Sequence, residues 1–170
     1  LPIGIILVIR DISEQKKAEK KMIEITEELT TAQEVAGLGS FTYDIKKDKV
    51  IWSDKLYQIY GKDQKSFTPT REAFFNEIVH PDSKQTVIET VGNALKNKSK
   101  NLDYVHQTLM PNGDKKWFQA IIKISYNNKE EAIIMHGTSQ DVTELFSSRN
   151  LLEESELRLK MALEIAQLGR

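Results

Sequence analysis

Apolar positions between residues 11 and 36 recur at Ala18, Met22, Ile25, Leu29, Ala32 and Ala36, alternately four and three apart, in a stretch without Pro or Gly. That spacing is the heptad seam of a helix, apolar along one narrow stripe and charged elsewhere. Leu152, Ser155, Leu159, Ala162 and Ala166 hold the same phase 130 residues later and predict a second such helix. Between the two the period changes. Phe41 and Tyr43 alternate with polar residues, Lys46-Lys47-Asp48-Lys49 makes a turn, and Val50-Ile51-Trp52 returns as a second strand. Ser53 caps a short helix at 54–60 that Gly61 stops, and Thr70 caps another over 71–79 with Phe74, Phe75 and Ile78 on one face. His80-Pro81-Asp82 closes that helix and opens the next, whose Val87, Ile88, Val91 and Leu95 lie at helical spacing. Three strands follow at 102–110, 115–126 and 131–140, joined by tight turns at Pro111-Asn112-Gly113-Asp114 and Asn127-Asn128. The order predicts an α+β domain, a five-stranded antiparallel sheet with short helices on one face. Trp117, Gln119 and Ile121 share one face of that sheet and Phe118, Ala120, Ile122 and Ile124 the other, so both faces need cover.

Two further segments keep the 130-residue offset. Asp11-Ile12-Ser13-Glu14 recurs as Asp141-Val142-Thr143-Glu144, and Glu34-Val35-Ala36-Gly37-Leu38-Gly39 as Glu164-Ile165-Ala166-Gln167-Leu168-Gly169. The chain therefore reads as an excerpt of a tandem array: 1–10 the last strand of a preceding unit, 11–36 a linker helix, 37–141 a complete unit, and 142–170 a linker helix leading into a following unit. The apolar run Leu1 to Ile9 is too short to cross a bilayer as a helix, which takes about 20 residues; the truncated end of a membrane helix is the competing reading. Asp11 and Asp141 read as helix N-caps, with Glu14 and Glu144 completing capping boxes. A linker helix of 26 residues is about 39 Å long, more than one small domain covers. Its seam either pairs with a second copy in a parallel coiled coil or folds back on its own sheet.

Composition narrows the function. Lys and Arg together number 24 against 25 Asp and Glu, and 39% of residues are hydrophobic, which excludes a polyelectrolyte tail and a strongly basic nucleic-acid binder. Lys16-Lys17 and Lys20-Lys21 are interleaved with Glu14, Glu19 and Glu24, the pattern of a solvated helix face. The chain has no Cys, which removes disulfides, thiolate zinc sites, a cysteine nucleophile and a cysteinyl flavin adduct. No catalytic constellation and no metal-ligand cluster stands out, so the fragment is not expected to be an enzyme.

Six segments in order carry a family resemblance: Gly37-Leu38-Gly39-Ser40-Phe41, Trp52-Ser53-Asp54, Tyr60-Gly61, Val79-His80-Pro81-Asp82, Pro111-Asn112-Gly113 before Trp117, and Gly137-Thr138-Ser139-Gln140-Asp141-Val142-Thr143-Glu144. Over residues 37–144 the chain resembles a PAS domain with its C-terminal PAC motif, of the subclass common in bacterial sensor histidine kinases. The resemblance implies a PAS fold flanked by coiled-coil-like signalling helices, acting as a sensory or relay module of a two-component system. It implies a homodimer through the linker helices, with neighbouring PAS domains and an output kinase in the same chain. A diguanylate cyclase is the alternative output. Two positions depart from the family pattern: Ser83 stands where a second acidic residue is common after Pro-Asp, and Gln107 where an Arg often precedes the Asn-Gly turn. The cytoplasm is the expected compartment, with a membrane anchor elsewhere in the intact protein left open.

The candidate ligand pocket is built from Phe74, Phe75, Tyr104, His106, Thr108, Phe118, Ile122, Ile134 and His136. Strand alternation is expected to turn His106 and His136 inward beside Tyr104, Thr108, Ile134 and Thr138. A pair of inward imidazoles would suit haem or a metal, although a satisfied core histidine is the usual case. No cofactor is the first expectation, with haem and a non-covalent flavin as alternatives. His80 is expected to cap and pack. Signal coupling is assigned to Asp141, Val142, Thr143 and Glu144 and to their counterparts Asp11, Ile12, Ser13 and Glu14, and the dimer seam to Ala18, Met22, Ile25, Leu29, Ala32, Leu152 and Leu159.

Overall fold

A computed structural model describes residues 11–168, with side chains to residue 164, so the expected strand at 1–10 and seam residue Ala166 lie outside the described part. The chain divides into two compact units at Ala36 and Gly37. Among its described residues the first holds one helix, α1 (Ser13–Val35), which buries none of its residues. Thr26, Thr30 and Thr31 each donate a hydroxyl to the carbonyl four residues back, which satisfies them inside the helix.

The second unit runs β1 (Leu38–Asp44), β2 (Lys49–Trp52), α2 (Asp54–Ile59), α3 (Arg71–Ala73), α4 (Pro81–Lys96), β3 (Asn101–Leu109), β4 (Lys115–Tyr126), β5 (Ala132–Asp141) and α5 (Thr143–Leu168). The five strands form one antiparallel sheet in the order β2-β1-β5-β4-β3. Local chemistry explains the boundaries. Ser53 Oγ accepts the Leu56 N–H at the start of α2 and Thr70 Oγ1 accepts the Ala73 N–H at the start of α3. Gly61, just past α2, has φ +65°, the left-handed conformation that only glycine adopts without strain. His80 Nδ1 accepts the Asp82 N–H and so caps α4. Residues 74–78 depart from the expected α-helix. They form a π-helix, closed by Val79 N–H donating to the Phe74 carbonyl five residues back, which widens the turn under Phe74 and Phe75.

The core lies on the helix side of the sheet. Under α2 it gathers Trp52, Leu56, Tyr60, Phe67, Ile78 and Phe118, with the Trp52 ring 5.1 Å from Phe67 and 5.4 Å from Tyr60. Under α4 it gathers Ala94, Ile122, Ile124 and Met135. Two glycines allow close approach. A Cβ on Gly39 would sit 2.6 Å from Leu56 Cα, so α2 packs directly on the β1 backbone; one on Gly137 would sit 2.5 Å from the Phe41 ring, which lies flat over β5.

β3 is an edge strand, and the chain leading into α4 lies along it. Val79 pairs with Thr108, His80 N–H donates to the Gln107 carbonyl, and Gln107 N–H donates to Ser83 Oγ at 3.0 Å. Of the two departures from the family pattern, Ser83 thus bonds through its side chain to the backbone of Gln107.

Candidate functional site

Two features of the second unit could carry function: a cavity between helices and sheet, and the joint at which β5 becomes α5.

The cavity encloses about 670 Å³, within the range of small-molecule sites. Its floor is apolar, made by Phe41 and Trp52 from the first hairpin, Leu56 from α2, and Ile122 and Met135 from the sheet centre. Phe74 and Phe75 on the π-helix and Val91 and Leu95 on α4 form the roof. The charged wall residues are Arg71 and Glu72 on α3 and Lys84 on α4. Three phenols line the cavity, and the Tyr43 hydroxyl donates to Asp48 Oδ1 at 2.7 Å. The Tyr60 hydroxyl, fully buried, bonds to Ser139 Oγ at 2.9 Å, and burial raises its pKa against the partial offset of that bond. The Tyr104 hydroxyl has no hydrogen-bond partner among the described residues; burial, then the neighbouring Tyr60, raises its pKa and keeps it protonated.

Of the nine pocket residues named from sequence, Phe74, Phe75, Tyr104 and Ile122 line this cavity. His106, Thr108 and Phe118 point to the same side but lie behind the wall, almost wholly buried. The His106 ring packs 5.7 Å from Phe74 and 5.5 Å from Tyr104, which stand between it and the cavity. Neither imidazole nitrogen of His106, nor Thr108 Oγ1, has a hydrogen-bond partner among the described residues. Burial lowers the His106 pKa from the ordinary 6.5 to about 4, so the ring is neutral at pH 7.

Ile134 and His136 are corrections. Directly paired residues share a face, and His136 pairs with Lys123 and Ile134 with Ser125, whereas Met135, Gly137 and Ser139 turn inward. His136 therefore lies on the outer face, where its Nδ1 is 3.0 Å from Thr42 Oγ1, and Thr138 is on that face too. With His80 at a helix cap, His106 behind the wall and His136 outside, no imidazole lines the cavity, and the residues present do not fit an axially ligated haem. Among the described residues no cluster of three His, Asp or Glu is arranged to hold a metal. Sequence reasoning missed Tyr60, Trp52, Leu56, Arg71 and Lys84 as wall residues. The helical spacing of Val91 and Leu95 was the available signal, since it marks the α4 face that looks at the sheet.

The joint is dense with bonds. Asp141 Oδ1 accepts the Thr143 N–H at 3.0 Å and the Thr143 hydroxyl at 2.6 Å, while its Oδ2 meets Lys116 Nζ at 2.7 Å. Trp117 N–H donates to Thr143 Oγ1 at 2.9 Å, and Val142 N–H donates to the Trp117 carbonyl at 2.8 Å. The Phe146 ring stacks on Trp117 at 4.1 Å, so the first turn of α5 covers part of the outer sheet face. Partial burial alone would raise the Asp141 pKa, but the bonds from Lys116 and Thr143 outweigh it and hold the carboxyl below its usual value. The expected N-cap is corrected by one residue. Helices begin at Ser13 and Thr143, so Asp11 and Asp141 precede the cap position, and each takes the N–H of the first helical residue. Glu14 makes no return bond to Asp11. Beyond Phe146, α5 leaves the domain surface: Leu152 and Leu159 are exposed, which excludes folding back on the sheet for that stretch, and Ala18, Met22, Ile25, Leu29 and Ala32 of α1 are exposed as well. Among the described residues no helix is long and apolar enough to cross a membrane.

The family described as PAS fold matches residues 49–139. A probable diguanylate cyclase of Escherichia coli (strain K12), DgcE, is 23% identical over 164 residues, covering 96% of this chain. The chain spans only 14% of that protein's length. Among solved structures, a sensory box histidine kinase/response regulator from Burkholderia thailandensis E264 superposes with a TM-score of 0.67 at 21% identity, covering 78% of this chain and 98% of that one. The PAS domain of a Colwellia psychrerythraea protein superposes with a TM-score of 0.54 at 15% identity, over 71% of this chain and 98% of that one.

Proposed function

The chain belongs to the PAS-fold family, and on that premise we propose that it is a sensory or relay module of a multidomain signalling protein, passing the state of its cavity to an output domain through α5. One observation carries this reading: the exit helix is bonded to the sheet by Asp141, Thr143, Lys116 and Trp117 with no flexible residue between β5 and α5. A displacement of β5 against β4 then has to move the start of the helix. The cavity reaches the same strand through Tyr60, whose hydroxyl is bonded to Ser139, two residues before Asp141. A cavity occupant that shifts the Tyr60 ring pulls on the strand that ends in the joint. Ligands act on such devices only through a difference in affinity between two states.

In this proposal the exposed seam of α1, with Leu152 and Leu159 of α5, pairs with a second copy as a parallel coiled coil, and changes in register carry the signal onward. The output is a histidine kinase in a cytoplasmic two-component system. A diguanylate cyclase is the second reading, favoured by a curated relative that aligns with 96% of this chain. The test is Asp141→Ala in the intact protein. Losing the helix-start bonds and the Lys116 pair costs about 1–2 kcal/mol, which leaves the domain folded. Output activity should persist while its change with stimulus disappears. A mutant that responds to stimulus like the parent would show that the joint does not carry the signal.

A further inference from the structure

The chemistry of the cavity wall selects among ligand classes. Its floor and roof are apolar apart from the phenols, the Trp52 indole N–H and the Met135 sulfur. Two cations line it. Arg71 has no ion pair or hydrogen bond with any described residue, so all five of its N–H donors are free. Lys84 uses one proton, donated to Asn76 Oδ1 at 2.7 Å, and keeps two. Glu72 is the one carboxylate on the wall, so the wall carries a net positive charge. Arg71 is exposed and Lys84 partly so, so both cations reach the rim of the cavity, which Ile88 and Gly92 of α4 also reach. Inside, the unpaired Tyr104 hydroxyl adds a donor, and its protonated state makes it a partner for an acceptor. A neutral hydrocarbon would leave these donors without use, and a cationic ligand would meet two like charges at entry.

We propose that the cavity takes an amphipathic organic anion, with an apolar aromatic or aliphatic body inside and its acid group at the mouth against Arg71 and Lys84. This rests on the reading of the cavity as a ligand site. Arg71 acts as a planar fork that can grip a carboxylate or sulfonate with two parallel bonds, and Lys84 acts as a point charge beside it.

The experiment uses two fluorescent probes with the same anilinonaphthalene body. 1-Anilinonaphthalene-8-sulfonate carries an acid group, and N-phenyl-1-naphthylamine carries none. Each is titrated into the full 170-residue chain and into Arg71→Gln/Lys84→Gln, with folding of the variant confirmed by thermal melting. Amide chemical shifts locate the bound probe. The proposal expects both probes to shift amides of 70–76 and 84–95, with the sulfonate bound about ten-fold more tightly at low salt. That preference should shrink in 0.5 M NaCl (about 4–5 Å Debye length, between the 3 Å and 10 Å limits) and vanish in the double variant, while the neutral probe binds both proteins equally. Equal affinity for the two probes, or an equal loss of both in the double variant, overturns the anion preference and leaves the cavity as a ligand site. Failure of both probes to bind, or shifts confined to the exposed helix seams, overturns the ligand site itself.

Discussion

The sharpest prediction concerns His106, a side chain that is 1% exposed and whose two ring nitrogens have no partner among the described residues. Burial disfavours the imidazolium, so the folded pKa of about 4 lies below the ordinary 6.5. Between those values the unfolded chain binds more protons than the folded one, and stability therefore falls as pH drops. At pH 7.5 the ring is neutral in both states and contributes almost no pH dependence. At pH 5 the unfolded histidine is mostly protonated and the folded one is not, which removes about 2 kcal/mol of folding free energy. His106→Leu deletes both the titration and the two unsatisfied nitrogens, each of which costs about 1–3 kcal/mol when left without a bond. The variant should be more stable than the parent at pH 7.5, and its stability should change by about 2 kcal/mol less between pH 7.5 and pH 5. Urea denaturation at the two pH values, followed by tryptophan fluorescence, reads both numbers. A parent and variant with the same pH dependence would show that His106 titrates normally in the fold, and a variant destabilised at pH 7.5 would show that its nitrogens are bonded after all.

Other substitutions probe the packing that shapes the cavity. Gly39→Ala brings a Cβ within 2.6 Å of the Leu56 backbone, and because backbone cannot rotate away, α2 must lift from β1 at a cost of about 1–3 kcal/mol or more; thermal melting should show the loss. Tyr60→Phe keeps the ring but leaves Ser139 Oγ, which is 1% exposed, without its partner. It should destabilise by about 1–2 kcal/mol in a denaturant titration, and in the intact protein it should weaken the response to stimulus without abolishing basal output.

What could be read from the sequence divides along physical lines. The sheet order of faces on β4 was legible because Phe118, Ala120, Ile122 and Ile124 alternate with polar or wider neighbours over many residues, and the structure buries that set. β5 was not, because Ala132-Ile133-Ile134-Met135 is an apolar run without phase. Its inward face is set later by Gly137, where the Phe41 ring needs bare backbone, and Ser139, which serves Tyr60. That single slip put Ile134 and His136 on the wrong side. His106 was correctly placed on the inner face of β3, yet nothing in the sequence says that Phe74 and Tyr104 wall it off, since that depends on the π-helix. A π-turn has no spacing of its own, and Phe74, Phe75 and Ile78 read equally well as an α-helical face. Arg71 and Lys84 were invisible as wall residues of one cavity because they are separated by 13 positions and lie on different helices, α3 and α4.

The segment Val79 to Ser83 laid along β3 has a consequence for how such units associate. Unsatisfied strand borders invite guest strands, and many signalling domains recruit partners or stick to one another that way. Here Gln107 spends its carbonyl on His80 and its amide on Ser83, so at that residue the border has no group left to offer a visiting backbone. A second copy of this domain therefore finds no backbone partner at that point of the edge, and contact between copies has to use other surfaces.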